Sequence, residues 1–177
     1  DQVVCDIKLR LREDVLNLAE ATLNVVDALQ KRAAEHADTP MILYTHGQHG
    51  QVGTMGAYFS AHADILLRDA QRLAELYPRV NSNPLGAGPV GGTSININRK
   101  RTTELLGFDS IQENSIDATS ARDWAVETAS VCAIILTDLS RLSADILEWS
   151  TVEFGYVQLA DEYTSSSSIM PQKKNPS

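Results

Sequence analysis

Residues 124–149, WAVETASVCAIILTDLSRLSADILEW, run for roughly seven helical turns without a glycine or proline. Val126, Ala129, Cys132, Ile135, Leu139, Leu142, Ile146 and Trp149 recur at three- and four-residue spacing, which predicts a helix. Ala133, Ile134 and Leu136 lie off that stripe, so the helix is apolar on nearly every side. A helix of this kind belongs in the middle of a bundle or at a subunit interface.

Working outward, two further stretches carry the same period. From Asp1 to about Asp38, Val4, Ile7, Leu11, Val15, Leu18, Val25, Val26 and Leu29 recur without an intervening glycine or proline, and Asp38-Thr39-Pro40 ends the run. Lys8, Arg12, Glu20 and Lys31 are expected on its solvated face. From about Gly53 to Val80, Met55, Phe59, His62, Leu66, Leu73 and Leu76 form one stripe, with Pro78 close to the end. Arg99 to Leu106 reads as a short helix closed by Gly107, and Ser120 and Asp123 stand in capping-box spacing before the 124–149 helix. Three long helices, short connections and no convincing strand predict an all-α, up-and-down long-helix bundle over 1–163. The four-serine run opens a separate, mobile loop over 164–177.

Composition narrows the function classes. The 177 residues carry a formal net charge of -8, which disfavours nucleic acid and anionic membrane surfaces as partners. Cys5 and Cys132 are far apart and sit in apolar helical patterns, which predicts two buried thiols in a reducing compartment. No apolar run approaches membrane-spanning length and no signal peptide is visible, so the expectation is a soluble cytoplasmic protein. A chain that begins at Asp1 without a methionine and stops within a loop is expected to be a piece of something longer, with any site built from it incomplete.

Four polar stretches could carry chemistry. Thr164 to Ser177 concentrates hydroxyls, the Lys173-Lys174 pair and the Asn175 carboxamide, a mixture suited to an anionic substrate. Ile169-Met170 offers this loop an apolar foothold, and Pro171 and Pro176 fix its backbone direction. Met41 to Gln51 places two histidines, two glutamines and a threonine in what reads as a shaped loop between helices. His46-x-x-His49 lacks both the H-E-x-x-H form and a nearby carboxylate, so neither a metal nor a cofactor is expected. His36, His49 and His62 are expected to be structural. Gly86-x-Gly88-x-x-Gly91 formally matches a dinucleotide motif, but Pro89 removes a cradling amide and no strand precedes it. Asn114 to Trp124 is the fourth stretch, polar and helix-initiating.

Ser166-Ser167-Ser168-Ile169-Met170-Pro171-Gln172-Lys173-Lys174-Asn175-Pro176 closely resembles the signature loop of the fumarase/aspartase superfamily, G-S-S-x-M-P-x-K-x-N, and its Gln-Lys-Lys filling resembles the argininosuccinate lyase family in particular. Ser166 stands where glycine is usual. Tyr44-Thr45-His46-x-Gln48-x-x-Gln51 resembles the family's G-Y-T-H-x-Q-x-A-Q-P loop, with Leu43, Gly50 and Val52 as departures. Pro84 to Thr93 resembles its P-L-G-x-G-A-x-A-G-T turn, with Pro89 and Gly91 as departures. Asn114 to Trp124 resembles N-S-x-D-A-x-S-D-R-D-F, with Ala121 replacing an acid and Trp124 a phenylalanine.

The resemblance implies the central helical domain of a fumarase/aspartase-type lyase, assembled as a homotetramer with each site shared between subunits. It implies cleavage of argininosuccinate to arginine and fumarate by β-elimination, as a step of arginine biosynthesis. Ser167 would be the base, with Ser168 as the fallback, and His46 the group that protonates the leaving nitrogen. Thr45, Gln51, Lys173 and Asn175 would bind substrate, and Ser115, Arg122 and Asp123 would support the site. Adenylosuccinate lyase is the alternative within the superfamily, although its loop usually has histidine and arginine where this chain has Gln172 and Lys174. A non-catalytic helical structural protein on the same fold is the alternative outside enzymes.

Overall fold

A computed structural model describes residues 1–176. The helices are α1 (Gln2–Glu35), α2 (Met55–Val80), α3 (Arg99–Leu106), α4 (Ser115–Ser120) and α5 (Asp123–Trp149). The strands are β1 (Pro40–Thr45), β2 (Gln48–Thr54), β3 (Ser82–Asn83), β4 (Ser110–Ile111), β5 (Thr164–Ser166) and β6 (Lys174–Pro176). The chain forms two compact units, Asp1–Ile135 and a second beginning at Leu136, so the division falls within α5.

In the first unit α1 and α2 pack antiparallel. The amide of Gly56 at the start of α2 donates to the His36 carbonyl at the end of α1 (2.9 Å), while Lys8 near the start of α1 reaches Arg79 and Ser82 at the far end of α2. The predicted stripes supply the contact. Val4, Val15, Val26 and Leu29 of α1 and Phe59, Leu66, Leu73 and Leu76 of α2 are buried, Leu73 and Leu76 completely. Burying each such side chain contributes about 1.5–3 kcal/mol. Thr54 caps α2 by accepting from the Ala57 amide (3.1 Å). Pro78 does not end α2, because it falls in the last turn and the Asn81 amide still closes onto the Tyr77 carbonyl (2.8 Å).

Four details differ from the sequence expectation. Residues 40–54 form an antiparallel hairpin, with a register shift at Leu43/Tyr44, where a loop was expected. Ser120 ends α4 and bonds back to the Ile116 carbonyl (2.7 Å), so it does not cap α5; Asn114 is the cap, accepting from the Ile116 and Asp117 amides to start α4. Cys5 is buried as expected, but Cys132 is only half-buried.

Lys8, expected in solvent, is 1% exposed. Its ammonium donates to Ser82 Oγ (2.8 Å), Gln112 Oε1 (3.1 Å) and the carbonyls of Ser82 (3.3 Å) and Arg79 (3.4 Å), and lies 5.4 Å from the Trp124 ring centre. Burial lowers its pKa, and Asp123 and Asp117 partly offset that. Arg12 is also engaged, donating to Asn81 Oδ1 and to the Leu106 and Gly107 carbonyls at the end of α3.

In the second unit Trp149 closes α5 in a small aromatic cluster, 6.2 Å from Tyr156, which in turn meets Phe154 edge-on at 5.8 Å. The Tyr156 and Val157 amides donate to the Trp149 carbonyl, which terminates the helix. A 3-10 turn, Asp161–Tyr163, then leads into the β5–β6 hairpin. No described helix is long and apolar enough to cross a membrane.

Candidate functional site

Within the first unit, β1 and β2 carry Thr45, His46 and Gln51, all exposed. His46 and Gly47 form the hairpin tip with φ of 54° and 68°, the left-handed pair that a tight hairpin turn requires. His46 is the only described non-glycine residue with positive φ. Strain of this kind costs on the order of 1–3 kcal/mol and persists only where surrounding structure fixes it. Here the β ladder does so, pairing Thr45 with Gln48 and Tyr44 with His49, whose rings meet edge-on at 5.2 Å. Gln51 lies further along β2, opposite Leu43. Of the histidines expected to be structural, His62 is buried against Tyr58 and His36 stands beside Thr39 Oγ1 at 3.2 Å.

Ser115, Arg122 and Asp123 lie at the α4–α5 corner of the same unit. Ser115 is half-buried in the first turn of α4, whereas Arg122 and Asp123 are exposed. Arg122 donates to the Thr119 and Ala121 carbonyls, holding the corner closed. Gln112 links this corner to Lys8, its amide nitrogen donating to Asp117 Oδ2 at 2.7 Å. The glycine-rich turn binds an anion supplied by the chain itself: Asp1 Oδ2 accepts from the Gly86 (2.9 Å) and Gly88 (3.0 Å) amides. Those amides are therefore not presented to a phosphate, which agrees with the rejection of the dinucleotide motif.

Ser167, Ser168, Lys173 and Asn175 come together in the second unit. β5 pairs with β6 so that Ser165 faces Asn175 and Ser166 faces Lys174, and the Ser167 amide continues the ladder to the Lys173 carbonyl at 3.3 Å. Ser167 therefore starts the hairpin turn. Its Oγ accepts from the Met170 amide at 3.2 Å, and the Lys173 amide closes the turn onto the Met170 carbonyl at 2.9 Å. A donor aimed at a hydroxyl oxygen favours negative charge there. Ser168 is exposed, while Ser167 and Asn175 are half-buried. Ile169 is 87% exposed, so the expected apolar foothold is not made within the described chain.

β6 forms one wall of a cleft of about 390 Å³ whose lining includes Lys173, Lys174 and Asn175, with Leu147, Val157 and Leu159 as apolar neighbours. The cleft offers cations and a carboxamide against an apolar floor, an arrangement suited to a small carboxylate. Among the described residues no three histidine, cysteine or acidic side chains stand together as a metal site. Ser177 lies outside the described residues.

Three contributors escaped the sequence reading. Asp161 pairs with Lys174, the Met170 amide faces Ser167, and Lys8 braces the α4 corner. Only Asp161 left a signal, as an acid just before a loop rich in lysine. The other two depend on a backbone turn and on burial.

The family model described as lyase matches residues 1–177. Argininosuccinate lyase of Nitrosopumilus maritimus is 51% identical over 176 residues, covering 99% of this chain and 36% of that protein. The enzyme of the same name from Methanothermobacter thermautotrophicus is 46% identical, with 99% and 38% covered. Among solved structures, EDDS lyase in complex with formate superposes with a TM-score of 0.96 at 40% identity, covering 98% of this chain and 35% of that one. This chain thus spans little more than a third of the length of the curated relatives it matches. With the signature turn, the threonine-histidine hairpin and the long helices all in place, the chain belongs to the lyase family of the fumarase/aspartase superfamily.

Proposed function

We propose that the full-length protein containing this chain cleaves argininosuccinate to arginine and fumarate, as an arginine-biosynthetic enzyme of the cytoplasm. The observation that carries the proposal is the 166–176 hairpin, which folds the Gln-Lys-Lys form of the signature loop into a turn with the Ser167 hydroxyl under an amide. The curated relatives named argininosuccinate lyase support the substrate, and an EDDS lyase variant solved with bound fumarate, with a TM-score of 0.96 to this chain, supports fumarate as product.

The elimination breaks a C–H bond next to a carboxylate and the C–N bond to the guanidinium, and forms the fumarate double bond. Ser167, having given up its hydroxyl proton to solvent and held as the alkoxide by the Met170 amide, takes the carbon-bound proton and becomes the neutral hydroxyl. The electron pair left on carbon delocalises into the adjacent carboxylate, where Lys173, Asn175 and Thr45 supply cation and donors. Collapse of that carbanion expels the guanidino nitrogen, which takes its proton from His46. Gln51 binds substrate as well, and Ser115, Arg122 and Asp123 support the site. The 164–176 segment closes over the bound substrate to exclude water.

The sites are shared between the subunits of a homotetramer. Exposed apolar side chains on the long helices, including Val3 (67%) and Leu16 (53%) of α1 and Val126 (66%) and Leu136 (65%) of α5, support burial against further copies.

The test is fumarate absorbance on adding argininosuccinate to the full-length protein, alongside Ser167→Ala and His46→Asn. Release by the parent and its loss in both variants is the expected result. Turnover of adenylosuccinate alone would overturn the substrate, and a folded tetramer inert to both would leave a helical scaffold.

A further inference from the structure

The signature loop carries two adjacent lysines, and they are placed differently. Strand β6 alternates its faces, so Lys174 and Asn175 project to opposite sides. Lys174 forms an ion pair with Asp161, in the 3-10 turn that enters β5. That contact spans 13 residues and runs from the 3-10 turn before β5 to the first residue of β6, the one paired with Ser166 next to the Ser167 turn. The Thr164 hydroxyl donates to the Asp161 carbonyl at 3.0 Å and closes that 3-10 turn onto the start of β5. Lys173 has no acidic partner among the described ion pairs, and its amide and carbonyl are both used in the turn around Ser167.

We propose that Asp161 is a positioning residue: it reserves Lys174 as the anchor of the hairpin and leaves Lys173 to meet the substrate carboxylate. The proposal rests on the lyase reading above. With Lys174 tied to Asp161, the first residue of β6 is held against the segment that enters β5, and Ser167 stays at the start of its turn. Two unpaired lysines side by side would compete for one carboxylate and let the strand slide, and a one-residue slip would exchange the faces of Lys174 and Asn175. Both partners are well exposed, Asp161 at 80% and Lys174 at 59%, so the pair is a weak one and its loss has a modest effect.

The experiment is a double-mutant cycle in the full-length protein, read by steady-state kinetics and by hydrogen exchange of the 164–176 amides. Asp161→Asn and Lys174→Met each lower kcat by about three- to fivefold, the range an exposed pair allows, with KM unchanged. The double variant is no worse than either single one. The exchanged pair, Asp161→Lys with Lys174→Asp, recovers most of the lost kcat and the hairpin's protection. A merely structural role for either residue would not give recovery on exchange. A rise in KM for Lys174→Met, a fall in KM for Asp161→Asn, or additive losses would overturn the proposal and make Lys174 a substrate ligand. Should the parent leave argininosuccinate uncut, the lyase reading fails, and the exchange arm still decides the anchor: unchanged protection in Asp161→Asn would sink it.

Discussion

The α1–α2 pair and the 164–176 hairpin place polar groups in opposite environments, and the contrast is clearest between Lys8 and Lys174. Lys8 is sealed between helices and satisfied by four oxygens and an aromatic face, so removing it leaves buried acceptors unpaired. Lys174 meets a single carboxylate in water, where a pair is screened and easily exchanged. Stability is concentrated in the first region, and the second carries Ser167, Lys173 and Asn175 on a hairpin that is mostly exposed.

The sharpest way to break that comparison is a pair of alanine substitutions. Ser167→Ala abolishes fumarate release, by at least about a thousandfold, the scale on which an essential base acts, and leaves the denaturation midpoint of the full-length protein unchanged. Leu73→Ala removes a side chain with no exposed surface and lowers stability by about 2–5 kcal/mol in chemical denaturation. A large loss of stability in Ser167→Ala would place the hairpin in the fold's foundation and void the contrast.

Lys8→Met comes next, with an expected loss of about 1–3 kcal/mol at neutral pH from the unpaired Ser82 and Gln112 acceptors. Its pH dependence has a definite sign. Burial lowers the Lys8 pKa in the folded state, so between that value and the unfolded lysine's 10.5 the unfolded chain holds more protons. Wild-type stability relative to Lys8→Met therefore rises with pH through that window. Denaturation midpoints of both proteins at a series of alkaline pH values check it, and a flat or narrowing gap would mean that Lys8 is not held in a desolvated site.

The smallest effect belongs to Glu127→Gln. The bidentate pair with Arg79 lowers the Glu127 pKa, so its stabilisation is present above the unfolded value of 4.5 and is lost as pH falls through the folded one. Thermal scans should show a small deficit for the variant at neutral pH that closes in acid and in high salt. A deficit that persists in acid would point to packing of the side chain in place of its charge.

Periodicity alone placed α1 and α2 and the apolar character of α5, because a helix face is written every three or four residues. The left-handed Gly107 that closes α3 was visible for the same local reason, since glycine tolerates that conformation. The signature loop could be read from residue order. The 40–54 hairpin was hidden because β2, QHGQVGT, is largely exposed and carries no alternation, so only the ladder to β1 reveals it.

The sequence by itself determined the helical spans, the acidic balance and the membership of the 166–176 loop in a lyase pattern, because each depends on residues close together in the chain. Tertiary structure decided which lysine is buried, which is tied and where His46 is strained. Lys8 meets oxygens 74 and 104 residues away, and such a partner exists only once the chain has folded back on itself. Burial, and with it the cost of leaving a charge unpaired, is a property of that folded arrangement and not of any local run of residues.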